Sequence, residues 1–148
     1  MELTTVVSWK DGMAFDVEMD GHHVTIDAHE EFGGRDLGPL PKTLLLGSLA
    51  GCGSMDVVAI LGKMRVPFRS LVVDVAGQIT DDHPKKFTNI VLNYRIEGDD
   101  LPLNKVRRAI NLSEERYCGI WATLEPSVEL SSVLFVNGEE MPAPPEEE

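Results

Sequence analysis

From Thr43 to Met55 the chain carries no charged side chain: Thr43-Leu44-Leu45-Leu46-Gly47-Ser48-Leu49-Ala50-Gly51-Cys52-Gly53-Ser54-Met55. Pro41 stands where helices like to begin and Val66-Pro67 where they stop, so the stretch reads as one helix over 41–65. A surface helix has one apolar stripe, whereas this one is apolar on nearly every face and must be enclosed. One small sheet cannot enclose it. A second copy of the chain packing across it would, and Gly47 and Gly51, on one face, would let another backbone approach. The other way to cover it is a core built within a single chain.

The segments around this helix read as strands. Leu3, Thr5, Val7 and Trp9 alternate, then Met13, Phe15, Val17 and Met19, with Asp20-Gly21 as a hairpin signal before Val24 and Ile26. These form a meander over 1–28, followed by a charged, Gly-rich loop at Gly33-Gly34 read as mobile. Beyond the helix, Leu71, Val73, Val75 and Ile79 pair with Ile90, Leu92, Tyr94 and Ile96 within 69–97. Helices occupy 100–124, with Asp99-Asp100 and Ser113 as N-caps, and a last strand spans 127–137. The order βββ-α-ββ-α-α-β is mixed α+β with mainly antiparallel pairing expected. Residues 1–140 read as one domain, and 141–148, rich in Pro and Glu, as a disordered acidic tail.

Composition narrows the function classes. A chain of 148 residues can build its own core without disulfide or metal staples, and a formal net charge of −12 argues against binding nucleic acid. No run of apolar residues of membrane-spanning length is expected, and Met1-Glu2-Leu3-Thr4 shows no secretory signal. With two cysteines a disulfide scaffold is excluded, and reduced thiols in the cytoplasm are the expected state.

Those cysteines carry the chemical question. Taken alone, a buried cysteine behaves as a small hydrophobe. Context points further: Gly51 and Gly53 flank Cys52, and a glycine inside a helix costs about 1 kcal/mol relative to alanine. Something approaching the backbone there would justify the cost. Cys118 sits at an apparent helix break, where a helix N-terminus would stabilise a thiolate. His22, His23, His29 and His83 do not stand at ligand spacing from a cysteine, so neither metal nor cofactor is expected. The Gly33-Gly34 loop lacks the Lys-Ser/Thr of a phosphate loop, and Ser48, Ser54 and Ser113 lack a nucleophile-elbow frame.

The helix opening Pro41-Lys42-Thr43-Leu44-Leu45 and reaching Cys52 through Leu49-Ala50-Gly51, with Cys118 after two strands and a helix, resembles the OsmC/Ohr family of osmotically inducible and organic hydroperoxide resistance proteins. Asp56-Val57-Val58 and Glu115-Arg116-Tyr117-Cys118 are similar to its YhfA-like branch. The resemblance covers residues 1–138 or so. It implies an OsmC-like fold in which antiparallel sheets wrap a central buried helix in an intertwined homodimer. It also implies a thiol-dependent oxidoreductase, with Cys52 attacking a hydroperoxide, Cys118 resolving the product, and an external dithiol as reductant.

The family's peroxidases place a Glu near the start of the first helix and an Arg on an N-terminal strand. Here Lys42 and Thr43 stand at the first position, and there is no arginine before Arg35. Gly119 replaces the proline after the second cysteine. Weak peroxidase activity is the expectation, with no metal. The alternative is a non-catalytic dimer that binds an apolar small molecule in the cleft near Cys52.

Overall fold

The computed structural model describes residues 1–143, which fall into two compact units, Met1–Leu45 and the chain from Leu46 onward. The first unit is a meander of β1 (Thr5–Asp11), β2 (Ala14–Met19) and β3 (His22–Ile26), antiparallel throughout. Asp20 and Gly21 both have positive φ, at 52° and 78°, the conformation a two-residue hairpin turn demands. The loop that follows is firmly organised rather than mobile. The buried Asp27 carboxylate accepts backbone N–H groups from Ala28 (2.7 Å), Arg35 (3.2 Å) and Leu37 (3.3 Å). A Cβ on Gly34 would sit 1.8 Å from the Ala28 carbonyl oxygen, so only glycine fits that approach.

Helix α1 (Pro41–Lys63) ends two residues short of Arg65, whose φ of 56° belongs to the turn that reverses the chain. Its Leu49, Gly53, Val57 and Leu61 are buried, one residue per helical turn. Leu45, Gly47, Gly51, Met55 and Val58 stay exposed, Met55 at 75%. By length and hydropathy α1 could cross a membrane, contrary to the expectation from sequence. Its buried face packs into the core of the second unit, as a core helix does.

That core lies on one face of a sheet made of β4 (Ser70–Ile79), β5 (Phe87–Glu97), β6 (Glu129–Val136) and β7 (Glu139–Glu140). Ile90, Leu92, Tyr94 and Ile96 alternate inward from β5 and meet α1, α2 (Leu103–Leu112) and α3 (Gly119–Leu124). The pairing is not wholly antiparallel: β6 runs parallel to β5, Ile90 opposite Leu130 and Tyr94 opposite Leu134. A parallel neighbour needs a long crossover, and the helices between them supply it. Asn137 and Gly138, with φ of 49° and 82°, turn the chain into β7.

Two expected caps are absent. Asp100 takes a left-handed φ of 48° and Pro102 occupies the N-cap of α2, since proline fixes its own φ and needs no N–H there. Ser113 is not an N-cap but ends α2 and is a buried member of a π-helical turn, Ser113–Tyr117, that continues it. Past Glu140 the chain is still bound. The Met141 N–H donates to the Leu134 carbonyl at 2.8 Å, and Arg107 donates to the Pro142 carbonyl. The rest of the expected disordered tail, 144–148, lies outside the described residues.

Burial opposes ionisation of Asp27, but the three backbone N–H groups outweigh it and hold its carboxyl below the usual range. A lowered folded value means stability that is complete above about pH 4 and lost as pH falls through that value. Asp27→Asn is therefore expected to lower the urea midpoint at neutral pH, with the gap to wild type closing on acidification below about pH 4.

Candidate functional site

Cys52 lies half-buried on α1 and Cys118 is buried at the start of α3, both as free thiols. The fold brings them together with a third residue that the sequence reading had placed only as part of a motif. Cys52 Sγ, a carboxylate oxygen of Asp56 and Cys118 Sγ all lie within 4.8 Å of one another. Asp56 follows Cys52 by one helical turn, so both project from one face of α1. The signal was therefore present in the spacing, but the partner that fixes Asp56 was not. The Ser113 hydroxyl donates to Asp56 Oδ2 at 3.0 Å from the π-helical turn. That turn ends with Cys118 N–H donating to the Ser113 carbonyl at 2.8 Å, so one residue anchors both the carboxylate and the second thiol.

The glycine at 53 explains how α1 reaches this position. A Cβ there would stand 2.5 Å from the Tyr94 hydroxyl oxygen and 3.7 Å from Ser113 Oγ. The expectation that something approaches the backbone is met at Gly53 by a phenol from β5. At Gly51 nothing lies within 4 Å of such a Cβ. Tyr94 itself, 1% exposed, has no hydrogen-bond partner for its hydroxyl. Sequence reasoning took Tyr94 for one more apolar residue on an alternating strand, and nothing short of the fold shows what it faces.

The electrostatics are those of an acid-rich, desolvated pocket. The thiol of Cys118 is pushed up to about 11, first by burial and then by its contact with Cys52; the backbone N–H groups of Trp121 and Ile120 oppose this without prevailing. Trp121 N–H donates to Cys118 Sγ at 3.4 Å, so the helix start expected to favour a thiolate is present, and desolvation outweighs it. Burial also raises the Tyr94 hydroxyl, and Glu114, Cys118, Asp56 and Cys52 all push in the same direction. Glu114, raised chiefly by burial despite a hydrogen bond from Ser132, keeps Oε1 unpartnered. Lys42 and Thr43 belong to the other unit, where Thr43 donates its hydroxyl to the Leu40 carbonyl at 2.8 Å. In that unit Arg35 pairs with Asp11.

Two apolar cavities are found elsewhere. One of about 290 Å³ is lined by Val7, Phe15, Ile26 and Leu40, and another follows Met55, Val58, Phe68 and Leu71. Cys52 lines neither.

Comparison with known proteins bears on the family and the fold. The family model described as OsmC-like protein matches residues 33–132. Protein YhfA of Escherichia coli (strain K12) is 32% identical over 126 residues, 84% of this chain and 91% of that protein. A hypothetical protein of Aquifex aeolicus VF5 superposes with a TM-score of 0.78 at 24% identity, covering 93% of this chain and 98% of that one. An organic hydroperoxide resistance protein OsmC of Legionella pneumophila superposes with a TM-score of 0.68 at 16% identity, covering 90% and 97%.

The Gly53 contact yields a testable consequence. Gly53→Ala is expected to cost about 1–3 kcal/mol by overpacking against the Tyr94 hydroxyl. Because that oxygen is the clashing atom, Tyr94→Phe is expected to recover most of the loss in a double-mutant cycle read by urea unfolding.

Proposed function

Because the chain belongs to the OsmC-like protein family and its two thiols lie side by side in one site, we propose that it is a thiol-dependent oxidoreductase that reduces organic hydroperoxides. The observation that carries this reading is the approach of Cys52 Sγ to Cys118 Sγ within 4.8 Å. A disulfide needs the sulfurs about 2 Å apart, a closure within reach of side-chain rotation and a small backbone shift. A structural relative described as an organic hydroperoxide resistance protein supports the choice of substrate class.

The roles follow from exposure and acidity. Cys52, half-buried, is the peroxidatic thiol; Cys118, buried and protonated at neutral pH, is the resolving one. Cys52 takes the terminal oxygen of ROOH, giving a sulfenic acid and ROH, so that sulfur is oxidised by two electrons and the O–O bond breaks. Cys118 Sγ then attacks the sulfenic sulfur, forming the disulfide as its thiol proton leaves with the hydroxyl group as water. Asp56 is placed to carry that proton. An external dithiol restores both thiols by exchange and becomes a disulfide itself. Asp56 stands beside the sulfurs, and turnover below that of the family's dedicated peroxidases is expected.

The same reading includes an intertwined homodimer in the cytoplasm, with sheets of both copies around paired α1 helices. Leu45, Gly47, Gly51, Met55 and Val58 form an exposed apolar face on α1, which a second copy would cover. Light scattering is expected to find a dimer at micromolar concentration. Gly51→Ala, harmless within one chain, is expected to weaken it. A stable folded monomer would remove this part of the proposal.

Single-turnover chemistry tests the thiol roles. Cys52→Ser is expected to abolish consumption of an organic hydroperoxide. Cys118→Ser should allow one turnover and leave a sulfenic acid that dimedone traps on Cys52. Undiminished consumption by Cys52→Ser would show that the nucleophile lies elsewhere.

A further inference from the structure

The donors gathered at this site are two sulfurs and a carboxylate, all within 4.8 Å of one another. From that triangle and its surroundings we propose that the reduced protein binds one thiophilic divalent cation, of the zinc type, through Cys52, Asp56 and Cys118, with a fourth coordination position left open. This does not rest on the peroxide chemistry proposed above, because it concerns the reduced thiols with no hydroperoxide present.

Distances permit it. Tetrahedral zinc with Zn–S of about 2.3 Å and Zn–O of about 2.1 Å holds its donors roughly 3.5–3.8 Å apart. The three atoms, no farther apart than 4.8 Å, need to close by at most about 1.3 Å, the scale of a side-chain adjustment. Two sulfurs select zinc, cadmium or cobalt over magnesium or calcium, which want oxygen.

The second observation lies around the donors. Metal sites hold their ligands by outer hydrogen bonds, and Asp56 and Cys118 each have one. The fully buried Ser113 hydroxyl fixes Asp56 through Oδ2 at 3.0 Å. Trp121 N–H points at Cys118 Sγ at 3.4 Å. The Tyr94 hydroxyl, buried to 1% exposure and without a partner, is the unexplained polar group, and it sits at Gly53 beside Cys52. The ionisable groups that act on Tyr94 are Glu114, Cys118, Asp56 and Cys52, every one an acid. A divalent cation compensates such a cluster, and Cys52 gives it a half-buried way in. The search along the chain for histidine or cysteine at ligand spacing could not have found this set. One of its members is a carboxylate, and another comes from a distant helix.

Cobalt reports the geometry directly. The tag-free full-length chain, reduced and then freed of reductant, is titrated with Co²⁺ and afterwards with Zn²⁺. One equivalent of Co²⁺ is expected to give sulfur-to-cobalt charge transfer in the near ultraviolet and strong visible bands of a four-coordinate ion. Zinc should then bleach both. Cys52→Ser and Cys118→Ser should each remove most of the charge transfer, and Asp56→Asn should weaken zinc binding at least about tenfold. Circular dichroism establishes that each variant is folded. Absence of the charge-transfer band in reduced wild type overturns the proposal whatever the variants do. A band and zinc affinity unchanged in folded Cys52→Ser or Asp56→Asn overturn it equally.

Discussion

The Tyr94 side chain of β5 reaches α1 at Gly53, and this contact sets the site between them. With no Cβ at that position, the helix comes near enough for the Tyr94 hydroxyl to lie 2.5 Å from where one would stand. Leu49, Val57 and Leu61 extend the same face along the helix and bury it in the core. Held at this depth, α1 carries Cys52 and Asp56 to the π-helical turn and α3, where Ser113 and Cys118 wait. A side chain at 53 would meet the Tyr94 hydroxyl first.

The site that results is unusual in its charge. A reactive thiol is ordinarily helped by a nearby cation, and Cys52 has a carboxylate within 4.8 Å. Burial raises Cys118, Tyr94 and Glu114 together, so the pocket favours protonated groups at neutral pH. Such surroundings slow a thiolate reaction. They suit a resolving thiol that must stay protonated until a sulfenic acid forms, and they equally suit a cation that would take the protons' place. The family supplies the fold, and within it Asp56, Tyr94 and Glu114 set the electrostatics around the two thiols.

Much of this was legible in the sequence. The chargeless stretch from Thr43 to Met55 announced a helix unlike a surface helix, and the exposed Met55 and Val58 show that a single chain leaves it partly uncovered. Asp20-Gly21 specified a hairpin because both residues tolerate positive φ, and the glycine beside Cys52 foretold a close contact. Asn137-Gly138 carries the same kind of hairpin signal for β7. Other features could not be read locally. The parallel pairing of β5 with β6 depends on where the crossover helices pack. Ser113 looked like a cap because it precedes two glutamates, but tertiary packing buries it against Asp56, 57 residues earlier in the chain. Tyr94 alternates with isoleucine and leucine, so its hydroxyl had no visible purpose until Gly53 was placed opposite.

The central claim is that Cys52 and Cys118 form one chemical site within a single chain. Treating the reduced protein with one equivalent of an organic hydroperoxide and mapping its peptides by mass spectrometry without reduction tests that claim most directly. The account predicts a chain lighter by two hydrogens, with the Cys52 and Cys118 peptides joined and no link between chains. A sulfenic acid persisting on Cys52 beside a free Cys118 thiol, or a disulfide only between copies, would contradict it.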